Sequence, residues 1–140
     1  MTENFKIISS FIKDMSSETP DTPTYIFVRD KISKYRLNID INSKAVKDGI
    51  IEVNTIIKFS DQPEILKKAH FEITYTSIVK VDEKVSDKKE MEKIILCDVP
   101  NKIYPDLERI FLNLLTDSGY PGIKFEKKID FTELYKQRAN

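Results

Sequence analysis

The chain has 140 residues, and its 23 Lys and Arg side chains balance 23 Asp and Glu side chains. The zero net charge argues against a strongly basic nucleic-acid-binding protein. A chain of this length predicts a single domain, residues 1–140, whose core needs no disulfide. One cysteine, no long apolar run and no signal-peptide pattern lead us to expect a cytoplasmic protein that does not insert into a membrane.

Residues 5–13 are expected to form the first strand. Phe5, Ile7, Ser9 and Phe11 recur at every second position, which places them on one face of a strand.

The segment after this strand contains Pro20 and Pro23. Two prolines at this spacing predict an extended, irregular crossing without a helix. Residues 24–34, which follow, are apolar but show no clean period, so the sequence predicts neither a strand nor a free loop for them.

Three further segments alternate apolar and polar residues with the period of a strand: 35–42, 50–59 and 68–81. Asp48-Gly49 lies between the first two and favours a tight hairpin turn. With the first strand they predict a four-stranded antiparallel sheet that is polar on one face. The charge-rich residues 82–93 predict a solvated loop or a fragment of helix.

Residues 105–118 predict a long helix that begins at Pro105 and ends at Gly119. Its apolar stripe consists of Leu107, Ile110, Phe111, Leu114 and Leu115. Leu112 widens the apolar arc to roughly 200°, about twice the minimum width for a surface helix, which predicts burial against another copy of the chain. Asp130 and Glu133 resemble the capping box of a short C-terminal helix.

The sequence offers little that predicts catalysis. His70 is expected on the polar face of a strand, and Cys97 is expected to act as a small buried apolar residue. No residues have the spacing of a metal site, and the lysine pairs are dispersed among acids. We therefore expect no enzyme activity, cofactor, metal or nucleic-acid partner.

Three segments in order resemble motifs of the SecB family of protein-export chaperones. They are FIKDMSSETPDTP (11–23), CDVPNKIYPDLERIFLNLLTDSGYPGIKF (97–125) and IDFTELYKQR (129–138). The resemblance implies an α+β subunit in which a four-stranded antiparallel sheet carries a long helix and a short C-terminal helix on one face. It also implies a homotetramer, assembled as a dimer of dimers.

The resemblance further implies an ATP-independent chaperone that holds unfolded precursors in apolar grooves beside the crossover and delivers them to the SecA motor. By position, the expected client-binding residues are Phe11, Tyr25, Phe27, Ile32 and Tyr35. The expected SecA-binding residues are Asp14, Glu18, His70 and Glu72. The expected residues of the interface between copies are Leu107, Phe111, Leu112 and Leu115.

The sequence departs from the family pattern in its zero net charge and in Ser17, where an aromatic residue is usual. Two alternatives therefore stay open. The first is a SecB-like chaperone dedicated to the antitoxin of a toxin–antitoxin system, and the second is a small-molecule binding module.

Overall fold

The computed structural model describes residues 4–60, 68–125 and 129–139. One antiparallel sheet, with strand order β1-β4-β3-β2, is formed by β1 (Phe5–Glu18), β2 (Arg36–Lys47), β3 (Ile50–Ser60) and β4 (His70–Val81). The helices are α1 (Thr22–Arg29), α2 (Lys88–Lys93), α3 (Val99–Asp117) and α4 (Phe131–Ala139). The predicted α+β class, with a four-stranded antiparallel sheet, a long helix and a short C-terminal helix, is confirmed.

The turn between β2 and β3 follows the prediction from Asp48-Gly49. Gly49 has a φ of +72°, a conformation that a residue with a side chain rarely adopts. The pairing of the two strands starts at Lys47 and Ile50, and a register shift between Ala45 and Lys47 bends β2 next to the turn.

The predicted shared face of Phe5, Ile7, Ser9 and Phe11 is wrong. Register shifts occur in β1 between Ile7 and Ser9, and again between Ile12 and Asp14. Each bulge inserts a residue and exchanges the two faces of the strand. Phe11 therefore lies opposite Thr76, on the other side of the sheet from Ile7, which lies opposite Val79.

The expected irregular crossing instead contains a helix, α1. Asp21 caps it, because its side chain accepts a hydrogen bond from the backbone N–H of Thr24 at 2.8 Å. Pro23 lies in the first turn, where a helical N–H has no partner and the fixed φ of proline is favourable. The proline therefore helps to begin this helix, which buries Thr24 and Val28.

The long helix begins well before Pro105, which corrects the predicted start. Helices α2 and α3 are joined by a π-helical turn, Ile94–Asp98, so that helical backbone runs from Lys88 to Asp117 with Pro105 inside α3. Ile94 and Val99 have no exposed surface. Burial of these side chains outweighs the poor helix propensity of proline, as tertiary packing commonly does.

The core lies between one face of the sheet and the helices. Its fully buried members include Val53, Ile57, Phe71, Ile73 and Val79 from the strands and Leu107, Phe111 and Leu115 from α3. At the C-terminus, the side chain of Asp130 accepts a hydrogen bond from the N–H of Glu133 at 3.1 Å, as the capping box predicted. Phe131, the first residue of α4, is buried against Tyr104 at a ring-centroid distance of 5.5 Å.

Candidate functional site

Strand β2 forms one edge of the sheet, and within the described residues no strand pairs with its outer side. Leu37, Ile39 and Ile41 lie on its helix-facing side, opposite Phe59, Ile57 and Thr55 of β3. The three side chains are half-buried and pack at the border of the main core. We call these three side chains, with the cavities at both ends of the row, the β2 groove.

The larger cavity of the β2 groove has a volume of about 760 Å³. Its lining consists of Ile32, Ser33, Tyr35, Leu37, Phe59, Gly122, Ile123, Lys124 and Phe125. The ring of Phe59 lies 5.4 Å from that of Tyr35 and 6.0 Å from that of Phe125, so aromatic faces and edges form much of the wall. A cavity of this size and apolar character fits several side chains of a second chain.

The smaller cavity has a volume of about 250 Å³ and lies where β2 meets α4 and the π-helical turn. It is lined by Ile39, Asp40, Ile41, Leu96, Phe131, Leu134 and Tyr135. Leu134 is 46% exposed, which leaves apolar surface at the mouth. At about 3.3 Å per strand residue, Tyr35 and Ile41 are roughly 20 Å apart, so the two cavities can hold one extended segment.

The structure brings only part of the predicted client-binding set to this groove. Ile32 and Tyr35 line the larger cavity, although both side chains are mostly buried. The Tyr35 hydroxyl also accepts a hydrogen bond from the N–H of Ala69 at 2.8 Å, which fixes its ring. Phe27 is 37% exposed on α1, and Phe11 is 44% exposed but lies on the sheet face opposite to the groove.

Tyr25 lies in a contact with residues 119–120 that we call the tyrosine clamp, formed by Tyr25, Gly119 and Tyr120. The Tyr25 hydroxyl donates to the Gly119 carbonyl at 2.8 Å, and its ring lies 5.3 Å from that of Tyr120. Gly119 has a φ of +101°, and a Cβ there would lie 2.8 Å from Cε1 of Tyr25. The Tyr120 hydroxyl also shares a 3.0 Å hydrogen bond with Thr19. The clamp therefore ties the crossover to the loop whose later residues line the larger cavity.

The sequence prediction missed several groove residues, notably Ile39, Ile41, Leu96 and Leu134. The alternation of apolar and polar residues over 35–42 predicts that Ile39 and Ile41 share one face of a strand, but it does not mark them as groove residues. The signal that could have singled them out is the position of β2 at the edge, which depends on the strand order of the sheet.

The predicted SecA-binding residues lie together on the outer face, the sheet face away from the helices. In the register of the two strands, Glu18 of β1 lies opposite His70 of β4. Asp14 of β1 lies opposite Thr74, two residues from Glu72 on β4. His70 Nε2 lies 3.6 Å from Glu72 Oε1, and Lys58 Nζ lies 3.8 Å from the same oxygen. The half-buried Glu72 carboxylate therefore has the ammonium group of Lys58 and the imidazole of His70 as neighbours.

A hydrogen-bonded row crosses the middle of the outer face. Thr76 donates to Asn54 at 2.6 Å, and Asn54 donates to Asn42 at 2.8 Å and to Glu52 at 2.9 Å. Lys13 Nζ also lies 2.9 Å from Glu52 Oε2. Hydrogen bonds from Lys13, and then from Asn54, lower the pKa of the Glu52 carboxyl.

The predicted interface residues of the long helix differ in their exposure. Leu107, Phe111 and Leu115 have no exposed surface in the single chain, because they form its own core. Leu112 is half-buried, as are Ile110 and Leu114. The side of α3 that bears Leu112 therefore retains apolar surface, whereas the three core residues expose none.

The described residues contain no group of three His, Cys, Asp or Glu side chains that could hold a metal ion. Burial raises the pKa of the Tyr104 hydroxyl, with a further contribution from the Glu108 carboxylate. Cys97 is buried beside Thr132 and Asn101. No described helix combines the length and the apolar character required to cross a membrane.

Comparison with known proteins assigns the chain to a family. The profile of the family described as preprotein translocase subunit SecB matches residues 1–140. A Pelagibacter ubique (strain HTCC1062) protein assigned to SecB is 95% identical over 140 residues, which is the whole of both chains. The protein-export protein SecB of Parvibaculum lavamentivorans (strain DS-1) is 25% identical over 135 residues, covering 95% of this chain and 77% of that protein.

One solved structure supports the fold. The Mycobacterium tuberculosis Rv1957 SecB-like chaperone, solved with a ChAD peptide from the Rv1956 HigA1 antitoxin, superimposes with a TM-score of 0.68 at 10% sequence identity. The superposition covers 90% of this chain and 91% of that one. Together with the family match over residues 1–140, these relatives show that the chain belongs to the SecB family of protein-export chaperones.

Proposed function

We propose that the protein binds unfolded precursor proteins in the β2 groove, holds them without ATP and delivers them to SecA in the cytoplasm. The observation that carries the proposal is the row Leu37, Ile39 and Ile41, whose half-buried side chains join two apolar cavities along an open sheet edge. Hydrophobic contact is non-directional, so such a groove binds many sequences.

The backbone of β2 supplies a second kind of contact. The N–H of Ile41 is bonded to the side chain of its neighbour Asp40 at 3.0 Å. In an antiparallel strand the N–H and C=O groups of one residue point to the same side, and successive residues point to opposite sides. Leu37 and Ile39 lie at two-residue steps from Ile41, so their N–H and C=O groups also point to the open edge. The backbone of an extended client can form hydrogen bonds with these groups while the side chains of the client enter the cavities.

Each side chain of a client that becomes fully buried contributes about 1.5–3 kcal/mol, from which the cost of ordering the client must be subtracted. Two or three anchors in one groove therefore give weak to moderate binding. Assembly into a homotetramer, the dimer of dimers expected for this family, places several grooves on one particle. Linked grooves on one long client raise the overall affinity without new contacts.

Exposed apolar residues support that assembly. Leu112 of α3 is half-buried, and Ile12 and Met15 of the edge strand β1 are 42% and 45% exposed. An uncovered apolar edge strand is prone to pair with another chain. We propose that copies of the chain cover these residues.

SecA, in this proposal, binds the outer face through Asp14, Glu18, His70 and Glu72. The assignment of these four residues is supported by their positions. They lie close together on β1 and β4, on the sheet face that no described helix covers. Charge reversal of Asp14 and Glu72 is expected to weaken binding of SecA while client binding remains.

The test of client binding uses an unfolded, fluorescently labelled precursor and no nucleotide. Replacement of Leu37 and Ile39 by serine is expected to weaken binding and to abolish protection of the client from aggregation. Val46→Ser is the matched control, because Val46 lies on the same strand, is 57% exposed and lines neither cavity. Equal client affinities of the parent, the Leu37 and Ile39 serine variant and the Val46→Ser control would refute the groove as the client site.

The two alternatives predict different occupants of the same groove. A chaperone dedicated to an antitoxin would bind one antitoxin segment far more tightly than unrelated unfolded chains, and its gene would adjoin a toxin–antitoxin pair. A small-molecule binding module would retain a metabolite. Native mass spectrometry of the purified protein distinguishes a bound polypeptide from a bound small molecule.

A further inference from the structure

Lysines occupy the end of the outer face that lies farthest from the proposed SecA-binding residues. Lys6 of β1 lies directly opposite Lys80 of β4. Lys47 of β2 continues the same row across the sheet, because it lies opposite Ile50, which in turn lies opposite Lys80. Lys44 of β2 lies on the next row of the same face. All four side chains are exposed. With strands about 4.8 Å apart and residues of one face repeating every 6–7 Å, the four Cα atoms lie within a patch of roughly 15 by 7 Å.

The strand pairing does not explain these charges. Like charges directly opposite each other in a sheet are destabilising, so the Lys6–Lys80 pair contributes nothing favourable to the fold. The acid on these rows, Glu52, is already bonded to Lys13 and to Asn54, both at 2.9 Å. The lysine end therefore keeps a positive field at the surface.

A concave surface adjoins this lysine pair. A cavity of about 420 Å³ is lined by Phe5, Lys6, Lys80, Val81, Asp82, Glu83 and Lys84. Phe5 and Val81 provide its apolar part; they lie opposite each other, one residue further along the two strands than Lys6 and Lys80. Its lining has three lysines, Lys6, Lys80 and Lys84, against two acids, Asp82 and Glu83, and therefore an excess of positive charge.

We propose that this end of the outer face binds an acidic segment of a partner protein, with one apolar side chain of that segment in the cavity beside Lys6 and Lys80. The inference goes beyond the proposed function, because neither client binding nor the proposed SecA contact uses these lysines. A partner that covers the whole face must carry acids at this end and bases at the end that bears Asp14 and Glu72.

The charge distribution favours a short acidic peptide over a nucleic acid or an anionic membrane. Asp14 lies opposite Thr74, six residues before Lys80 on β4, which is roughly 20 Å at strand spacing. The Debye length is about 8 Å at physiological salt, so a short segment at the lysine end is screened from these acids. A long polyanion or a flat anionic surface would extend over them and be repelled.

The test measures binding of a labelled five-residue peptide of Asp and Glu with one central Leu, which spans roughly 17 Å when extended, to the full chain. The double variant K6E/K80E is expected to weaken binding by at least about tenfold, and raising NaCl from about 0.05 to 0.5 M is expected to weaken it by a similar factor. Replacing both lysines preserves a like-charge pair, so the stability of the sheet changes little. Lys88→Glu with Lys93→Glu, which changes the net charge equally on α2, is the control and is expected to change affinity less than twofold.

Three results would overturn the proposal: no saturable binding of the peptide, equal weakening in the α2 control, or equally tight binding of an oligonucleotide or of phosphatidylglycerol vesicles. If K6E/K80E does not fold, Lys44→Glu tests the same patch, and an unchanged affinity in that variant counts against the proposal. A peptide without the central Leu is expected to bind more weakly, which tests the cavity separately. Client binding in the β2 groove is measured in parallel, so that failure of one proposal is not mistaken for failure of the other.

Discussion

Gly119→Ala is expected to destabilise the fold because it breaks the tyrosine clamp. The backbone at residue 119 has a φ of +101°, where a side chain costs about 1–2 kcal/mol. The new Cβ would also lie 2.8 Å from Cε1 of Tyr25, so the ring must move. Moving it gives up the hydrogen bond to the Gly119 carbonyl, about 0.5–1.5 kcal/mol, and the pairing with Tyr120, about 0.5–1.5 kcal/mol. The total is about 2–5 kcal/mol.

A double-mutant cycle separates the backbone cost from the cost of moving the ring. In a Tyr25→Ala background the ring is absent, so Gly119→Ala should cost only the backbone part, about 1–2 kcal/mol. We therefore expect a coupling free energy of about 1–3 kcal/mol from urea denaturation of the four proteins at one protomer concentration. Tyr25→Phe removes the hydroxyl alone and should lose about 1 kcal/mol. Costs of Gly119→Ala that agree within about 0.5 kcal/mol in the two backgrounds would refute the role assigned to the clamp.

Three further predictions concern other parts of the structure. Hydrogen bonds lower the pKa of Glu52 below its unfolded value of 4.5, so this carboxylate contributes stability that is fully present above pH 4.5 and is lost as pH falls through the folded pKa. Acid titration of unfolding should therefore show the stability difference between Glu52→Gln and the parent shrinking as pH falls below 4.5. Leu112→Asp places a charge on the half-buried side of α3 and should shift the particle mass by light scattering toward smaller assemblies, whereas unchanged mass would remove Leu112 from the interface. Asp40→Ala frees the N–H of Ile41 at the open edge and should tighten client binding a few-fold by fluorescence anisotropy; weaker binding would contradict backbone pairing there.

The strands were the most predictable part of the fold, because alternation of apolar and polar residues directly reflects which face is buried. The bulges of β1 were not predictable, because they depend on its pairing with β4, and they moved Phe11 to the outer face. Helix α1 was missed because proline was treated as a helix breaker, although after a capping Asp21 it favours the first turn. The start of the long helix was missed for a similar reason, since packing around the π-helical turn outweighs the propensity of Pro105.

The candidate site was predictable only in part. Ile32 and Tyr35 were expected at the groove through the resemblance, and both line the larger cavity. The contributions of Ile39, Leu96 and Leu134 depend on contacts between β2, the π-helical turn and α4, which lie far apart in sequence. The charge division of the outer face likewise appears only when the strand registers are known.

Photo-crosslinking of an unfolded precursor tests the central claim most directly. A photoreactive residue is placed in turn at Ile39 and Ile123 in the β2 groove, at Phe11 on the outer face and at Val46 near the turn. We predict crosslinks to the precursor from Ile39 and Ile123, which an unlabelled unfolded competitor abolishes, and background levels from Phe11 and Val46. Crosslinks that concentrate at Phe11, or that are equal at all four positions, would contradict the assignment of the β2 groove as the client-binding site.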